Sequence, residues 1–242
     1  TCEMSEEKIA ERIDANLLNT NIQDVAQMPY DTFCRKIDNL TRKVASGKLI
    51  VKEYPTAVAN ANHFRHLLNE LTLKKNFRPD VIYIDYLNIC SSSRIKAGSG
   101  ANSYTLIKSI AEELRGLAVE NNVPIMSATQ TTRSGYNSSD VELTDTSESF
   151  GLPATADLMF ALIATEELEE LNQVLVKQLK NRYNDLNNYK RFVIGIDRPK
   201  MRLYDVENSA QDEIIDNSGS SQDYSNNFSN NSKKIGSVEI KI

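Results

Sequence analysis

Three short apolar runs, far apart in the chain, each stop at a polar or charged residue, and this narrows the folds open to the protein. They are Val81-Ile82-Tyr83-Ile84-Asp85-Tyr86, Ile125-Met126-Ser127-Ala128-Thr129-Gln130 and Val174-Leu175-Val176-Lys177-Gln178-Leu179-Lys180-Asn181-Arg182. Such runs read as parallel strands buried on both faces. Ligands of open α/β sheets bind outside the carboxyl ends of the strands, and there the runs deliver Asp85, Gln130, Lys180 and Arg182. Lys180 and Arg182 are two residues apart, so on a strand both side chains leave the same face. An acid, an amide and a pair of cations at successive strand ends suit nucleotide hydrolysis. That chemistry needs a metal holder, a sensor for the water or the terminal phosphate, and cations for developing charge.

Between the runs, helical and extended patterns alternate. Ser5 followed by Glu6 and Glu7 is a helix start, with a side-chain cap and acids at the positive end of the dipole. Ile9, Ile13 and Leu17 carry that helix over residues 5–19. Helical patterns follow over 31–46 (Phe33, Ile37, Leu40), 62–75 (Phe64, Leu67, Leu68, Leu71) and 104–121 (Ile107, Ile110, Ala111, Leu114, Leu117). Leu49-Ile50-Val51 reads as a short strand and 158–164 as another, while 192–196 and 201–206 read as a closing antiparallel pair turning at Arg198-Pro199. Loops rich in Ser, Gly and Arg span 91–103, and a polar stretch of 131–149 exceeds a plain connector. Strands alternating with helices imply a largely parallel sheet in an α/β, RecA-like three-layer nucleotide-hydrolysing core over residues 1–206.

Such a core needs a phosphate cradle of the form G-x-x-x-x-G-K-[ST], and none of the nine glycines sits in one. Residues 1–4 read as the end of a strand, so the pattern predicts a chain that starts just after its first strand and P-loop unit. From Glu207 onward the composition shifts to Ser, Asn, Asp and Gln, which cannot bury enough surface to offset the entropy of ordering. Residues 207–242 are expected to be a disordered acidic and polar tail. The last six, Ser237-Val238-Glu239-Ile240-Lys241-Ile242, alternate like a strand and read either as a docking peptide or as a plain chain end.

Composition excludes more than it specifies. The net charge of −5 gives no global basic field, so any nucleic-acid contact must come from local loops. Cys2, Cys34 and Cys90 lack metal-like spacing and read as small hydrophobes of a reduced, cytoplasmic protein. His63 and His66 read as helix residues and not as ligands. No apolar stretch reaches about 18 residues and no signal peptide is evident, so neither a membrane span nor secretion is expected.

Glu3, Asp85 in Ile84-Asp85-Tyr86-Leu87, Ser127-Ala128-Thr129-Gln130 and Lys180-Asn181-Arg182 stand in the order found in DnaB-type hexameric replicative helicases. Ala111-Glu112-Glu113-Leu114-Arg115-Gly116-Leu117-Ala118, Thr144-Asp145 with Glu148-Ser149, and Ala156-Asp157 resemble further segments of that family over residues 1–206. The chain also resembles the T-even-type phage branch, through Gly151-Leu152-Pro153-Ala154-Thr155-Ala156-Asp157 and the wording around Tyr54-Pro55-Thr56. The resemblance implies an ATP-dependent helicase, using ATP or another NTP with Mg2+, that moves along single-stranded DNA as a homo-hexamer. A primase and a helicase loader would be its partners, in the host cytoplasm if phage-encoded. It implies that Asp85 orders the metal through water, Glu3 polarises the attacking water and Gln130 senses the γ-phosphate. Lys180 and Arg182 would reach the neighbouring subunit's nucleotide. Arg94, Lys96, Arg133 and Glu148 would lie in the DNA-contacting loops. The family carries Arg and Gly where this chain has Ser147 and Phe150. Two other readings stay open: a RecA-like recombinase, and a non-catalytic RecA-fold remnant that only binds partners.

Overall fold

Polar side chains start three of the longer helices by accepting backbone N–H groups that no helical carbonyl can reach. Ser5 accepts from Lys8, Asn60 from Asn62 and His63, and Asn102 from Thr105. The computed structural model describes residues 1–43, 47–96, 100–131, 143, 151–186 and 188–207, with Lys43 described in its backbone alone. In chain order the helices are α1 (Glu6–Leu17), α2 (Ile22–Gln27), α3 (Tyr30–Lys43), α4 (Ala61–Lys75), α5 (Ser103–Asn121), α6 (Gly151–Thr155) and α7 (Glu166–Glu170). The strands are β1 (Ile82–Ile84), β2 (Ile125–Ser127), β3 (Leu158–Ile163), β4 (Gln173–Asn181), β5 (Arg191–Asp197) and β6 (Arg202–Asp205). All lie within the unit Thr1–Val206. The tail expected over 207–242 lies, apart from Glu207, outside the described residues, as do 44–46 at the end of the helix expected over 31–46 and most of the polar stretch 131–149.

The apolar stripes of α4 and α5 meet over the end of β1. Phe64 and Leu68 of α4 and Ile107, Ile110, Ala111, Leu114 and Leu117 of α5 form one buried cluster with Ile84, Leu87, Cys2, Cys90 and Leu152. Cys2 and Cys90 are thus the small hydrophobes expected of them, and Cys34 is half-buried. His63 closes a capping box with Asn60, and no cluster of three metal-ligating side chains occurs among the described residues. Among the same residues, no helix is long and apolar enough to cross a membrane. Gly151 lets α6 approach α5, because a Cβ there would fall 2.8 Å from Lys108 Cγ.

The sheet departs from expectation in direction and cover. β1 and β2 pair in parallel, with Ile84 opposite Ser127. The run 174–182, however, lies in an antiparallel four-stranded sheet of order β3-β4-β5-β6. An apolar run encodes burial on both faces, which the central strand β4 has over Val174–Leu179, but it does not encode the direction of its neighbours. The helices cover one face of β1. Tyr83 and its register partner Met126 are 66% and 55% exposed on the other.

Leu49-Ile50-Val51 is not a strand, and Leu49 is exposed. The pairing falls just after it: the Thr1 nitrogen donates to the Lys52 carbonyl at 2.9 Å and the Tyr54 N–H to the Thr1 carbonyl at 3.0 Å. This is one rung of a parallel ladder opposite Glu53. The closing pair is as expected, β5 and β6 being joined by a 3-10 turn at Arg198–Lys200.

Candidate functional site

Glu3, Asp85 and Gln130 are brought to one sheet edge by backbone pairing. The Cys2 N–H donates to the Asp85 carbonyl at 2.8 Å, which sets Glu3 just beyond the end of β1. On the other side, Ser127 Oγ donates to the Ile84 carbonyl (2.8 Å) and the Leu87 N–H to the Ala128 carbonyl (3.3 Å). Gln130 Nε2 then reaches the Tyr86 hydroxyl at 3.0 Å, and Thr129 Oγ1 donates to Asn88 Oδ1 at 2.9 Å. The Gln130 side chain is therefore coupled to the residue that follows Asp85. Glu3, Asp85 and Gln130 all lie exposed at the surface. Beneath them the Cys2 and Cys90 thiols hydrogen-bond to one another, which draws Cys2 down to about 7 and pushes Cys90 up. The carboxylates of Asp85 and Glu3 are hard oxygen donors on neighbouring chain ends. Such a sparse set fits Mg2+, which keeps most of its waters and takes one or two carboxylates plus phosphate oxygens.

Lys180 and Arg182 do share a face, and both turn to the C-terminal end of α6. Lys180 Nζ donates to the Pro153 carbonyl and, at 3.4 Å, to that of Ala154. Arg182 Nη2 donates to the same Ala154 carbonyl at 2.7 Å, and Nη1 to Asp157 Oδ1 at 2.7 Å. Arg115 of α5 takes the other oxygen, Asp157 Oδ2, at 2.5 Å, and the Thr155 carbonyl at 2.9 Å. Arg115 foremost, and then Arg182, hold the Asp157 carboxyl below its usual range against the opposing effect of burial. Burial and the adjacent Arg182 lower Lys180. Among the described residues, no hydrogen bond or ion pair joins this cluster to Glu3, Asp85 or Gln130.

The loop after Tyr86 is anchored by Glu113, to which the sequence assigns no role. Its side chain, 7% exposed, accepts from Ser92 Oγ (2.5 Å), Ser93 N–H (2.8 Å), Ser93 Oγ (2.6 Å) and Ser109 Oγ (3.2 Å). Burial raises its pKa, but these bonds prevail and bring it down to about 2. Arg94 is drawn into the same anchor: its guanidinium meets Glu112 at 2.8 Å, Glu113 at 3.4 Å and the Ser109 carbonyl at 2.9 Å. Lys96 is exposed, and Arg133 and Glu148 lie outside the described residues. Asp157, Arg115 and Glu113 all fall within the segments that carry the family resemblance. Their only local signal is a charge on an amphipathic helix or just before a strand.

The family description "DnaB-like helicase C terminal domain" matches residues 1–197. The chain is 47% identical over 223 residues to the DnaB-like replicative helicase of Enterobacteria phage T4, covering 91% of this chain and 47% of that one. It thus spans about half the length of that relative. Among solved structures it is similar to an ATPase domain, with TM-score 0.67 at 19% identity over 85% of this chain and 72% of that one. It is equally similar, with TM-score 0.67 at 19% identity over 85% of this chain and 49% of the other, to a DnaB-like replicative helicase studied for its interactions with primase. At that identity the two structures establish the shared fold.

Proposed function

Because this chain belongs to the DnaB-like helicase C-terminal domain family, we propose that it is the motor region of a replicative helicase, coupling NTP hydrolysis to translocation on single-stranded DNA. The observation that carries this reading is the strand-edge group, in which Gln130 touches the Tyr86 hydroxyl beside Asp85 while Glu3 lies across the Cys2–Asp85 hydrogen bond. Asp85 would hold Mg2+ through water, and the ion would supply neutralisation of phosphate charge. Glu3 accepts the proton of the attacking water. Gln130 reads the γ-phosphate and passes its state to Tyr86 and to the segment beyond Thr131. Lys180 and Arg182 serve the nucleotide of the neighbouring subunit, so the working form is a ring, a homo-hexamer.

No G-x-x-x-x-G-K-[ST] stretch occurs in the 242 residues, so the cradle for ATP or another NTP comes from elsewhere in the complete protein. Arg94, Lys96, Arg133 and Glu148 belong to the DNA-facing loops, with Arg94 acting through the anchor on α5. A primase and a loader are the expected partners, in the cytoplasm of the host. The family match supports this reading over a recombinase.

Hydrolysis by mixed rings of the complete gene product tests it. Arg182→Ala should lose nearly all single-strand-stimulated turnover while keeping nucleotide binding, the loss being on the order of 10³ or more. Mixing it with Glu3→Gln subunits should restore part of the activity, because the two defects segregate to different interfaces. Mixed rings as inactive as either parent at every ratio refute the trans assignment. Failure of Asp85→Asn to abolish hydrolysis refutes the motor reading.

A further inference from the structure

We infer that Asp157 is the positioning residue for Arg182: its carboxylate, braced from α5 by Arg115, holds the guanidinium in the orientation from which it serves the neighbouring nucleotide. The inference rests on the trans role proposed for Arg182. Four contacts carry it. Asp157 accepts from Arg182 twice, from the backbone N–H at 3.0 Å with its carbonyl and from Nη1 at 2.7 Å with Oδ1. Arg115 occupies Oδ2 at 2.5 Å, so the carboxylate cannot rotate without breaking a second ion pair. The Ala154 carbonyl fixes Nη2 at 2.7 Å.

A lone surface ion pair holds a long side chain weakly. Here two guanidinium nitrogens and one backbone amide of the same residue are held together by α6 and the residue preceding β3. Arginine is among the side chains that lose most rotamer freedom when immobilised. Holding it beforehand removes that cost from the moment of reaction, as preorganised donors do. The hold does not cancel the charge. Arg115 and Arg182 pair with one carboxylate while Lys180 sits on the Ala154 carbonyl that Arg182 also uses, so the cluster stays positive, and Arg182 keeps 43% of its side chain exposed for a phosphate.

The test is steady-state, DNA-stimulated ATP hydrolysis by the complete gene product, with nucleotide affinity and ring assembly measured alongside. Asp157→Asn keeps the shape and removes the charge. It should lower kcat by about tenfold or more, leave KM for ATP within about twofold, and leave assembly intact. Arg115→Ala, which spares Asp157 itself, should give the same kcat-specific loss. The double variant Asp157→Asn/Arg182→Ala should be no slower than Arg182→Ala, and Asp157→Asn should be rescued in mixed rings by Glu3→Gln subunits. A fully active Asp157→Asn beside an inactive Arg182→Ala overturns this inference alone. Defects that multiply in the double variant also overturn it, as does loss of nucleotide binding or assembly in both single variants. An active Arg182→Ala overturns the trans reading and this inference with it.

Discussion

Replacing Glu113 by Gln should release the loop that follows Tyr86. Oε2 accepts from the Ser93 N–H and Ser93 Oγ, and Oε1 from Ser92 Oγ, Ser109 Oγ and Arg94. A carboxylate accepts on both oxygens, whereas an amide turned either way points an NH2 at donors. The magnitude follows from the ionisation of the wild type. Bringing the carboxyl from 4.5 to about 2 corresponds to about 3 kcal/mol in favour of the charged form. The side chain is only 7% exposed, so solvent screening subtracts little. Gln resembles the neutral form, and Glu113→Gln should lose a large part of that stabilisation. The folded-state value is depressed, so the wild-type contribution is complete above 4.5 and is lost as pH falls through about 2. Between about pH 5 and pH 8 the gap between the two proteins should therefore be constant. Amide exchange of Ser93, Arg94 and Ile95 reads it directly, since these N–H groups donate to Glu113 or Ser92. Protection there should drop by up to about a hundredfold, with α4 and β4 unchanged. Equal protection of these three amides in the two proteins would show that the carboxylate does not hold the loop.

Equilibrium dialysis of the 242-residue chain should detect no micromolar affinity for ATP, because no phosphate cradle is present in it; tight binding would mean that the phosphates are held by another device. Gly151→Ala should destabilise the fold by about 1–3 kcal/mol, read as a lowered urea midpoint, because the new Cβ would meet Lys108 Cγ at 2.8 Å. An unchanged midpoint would mean that α6 is free to move off α5.

Several features were legible in the residues because their causes are local. Ser5 caps the helix that follows it, and the stripes of α4 and α5 bury every residue their spacing names except Leu67, which is half-buried. Asp85 and Gln130 come to one edge because two apolar runs of similar length, each broken by a polar residue, pair in parallel. Other features depend on what packs where. The run over 174–182 specifies a doubly buried strand but not its sense, and it pairs antiparallel on both sides. Leu49-Ile50-Val51 has strand-like composition, yet the rung forms at 52–54, where Thr1 comes alongside. Arg94 has the composition of a phosphate ligand, but Glu112 and Glu113, 18 and 19 residues away, draw it onto α5. Arg182 announces its charge and its face from its place in Lys-x-Arg. Its partners, Asp157 and Ala154, become visible only when β4 lies against β3 and α6. Periodicity and capping act over a few residues and can be read along the chain. Strand sense and the pairing of charges depend on contacts between residues far apart in sequence, which exist only once the chain has closed on itself.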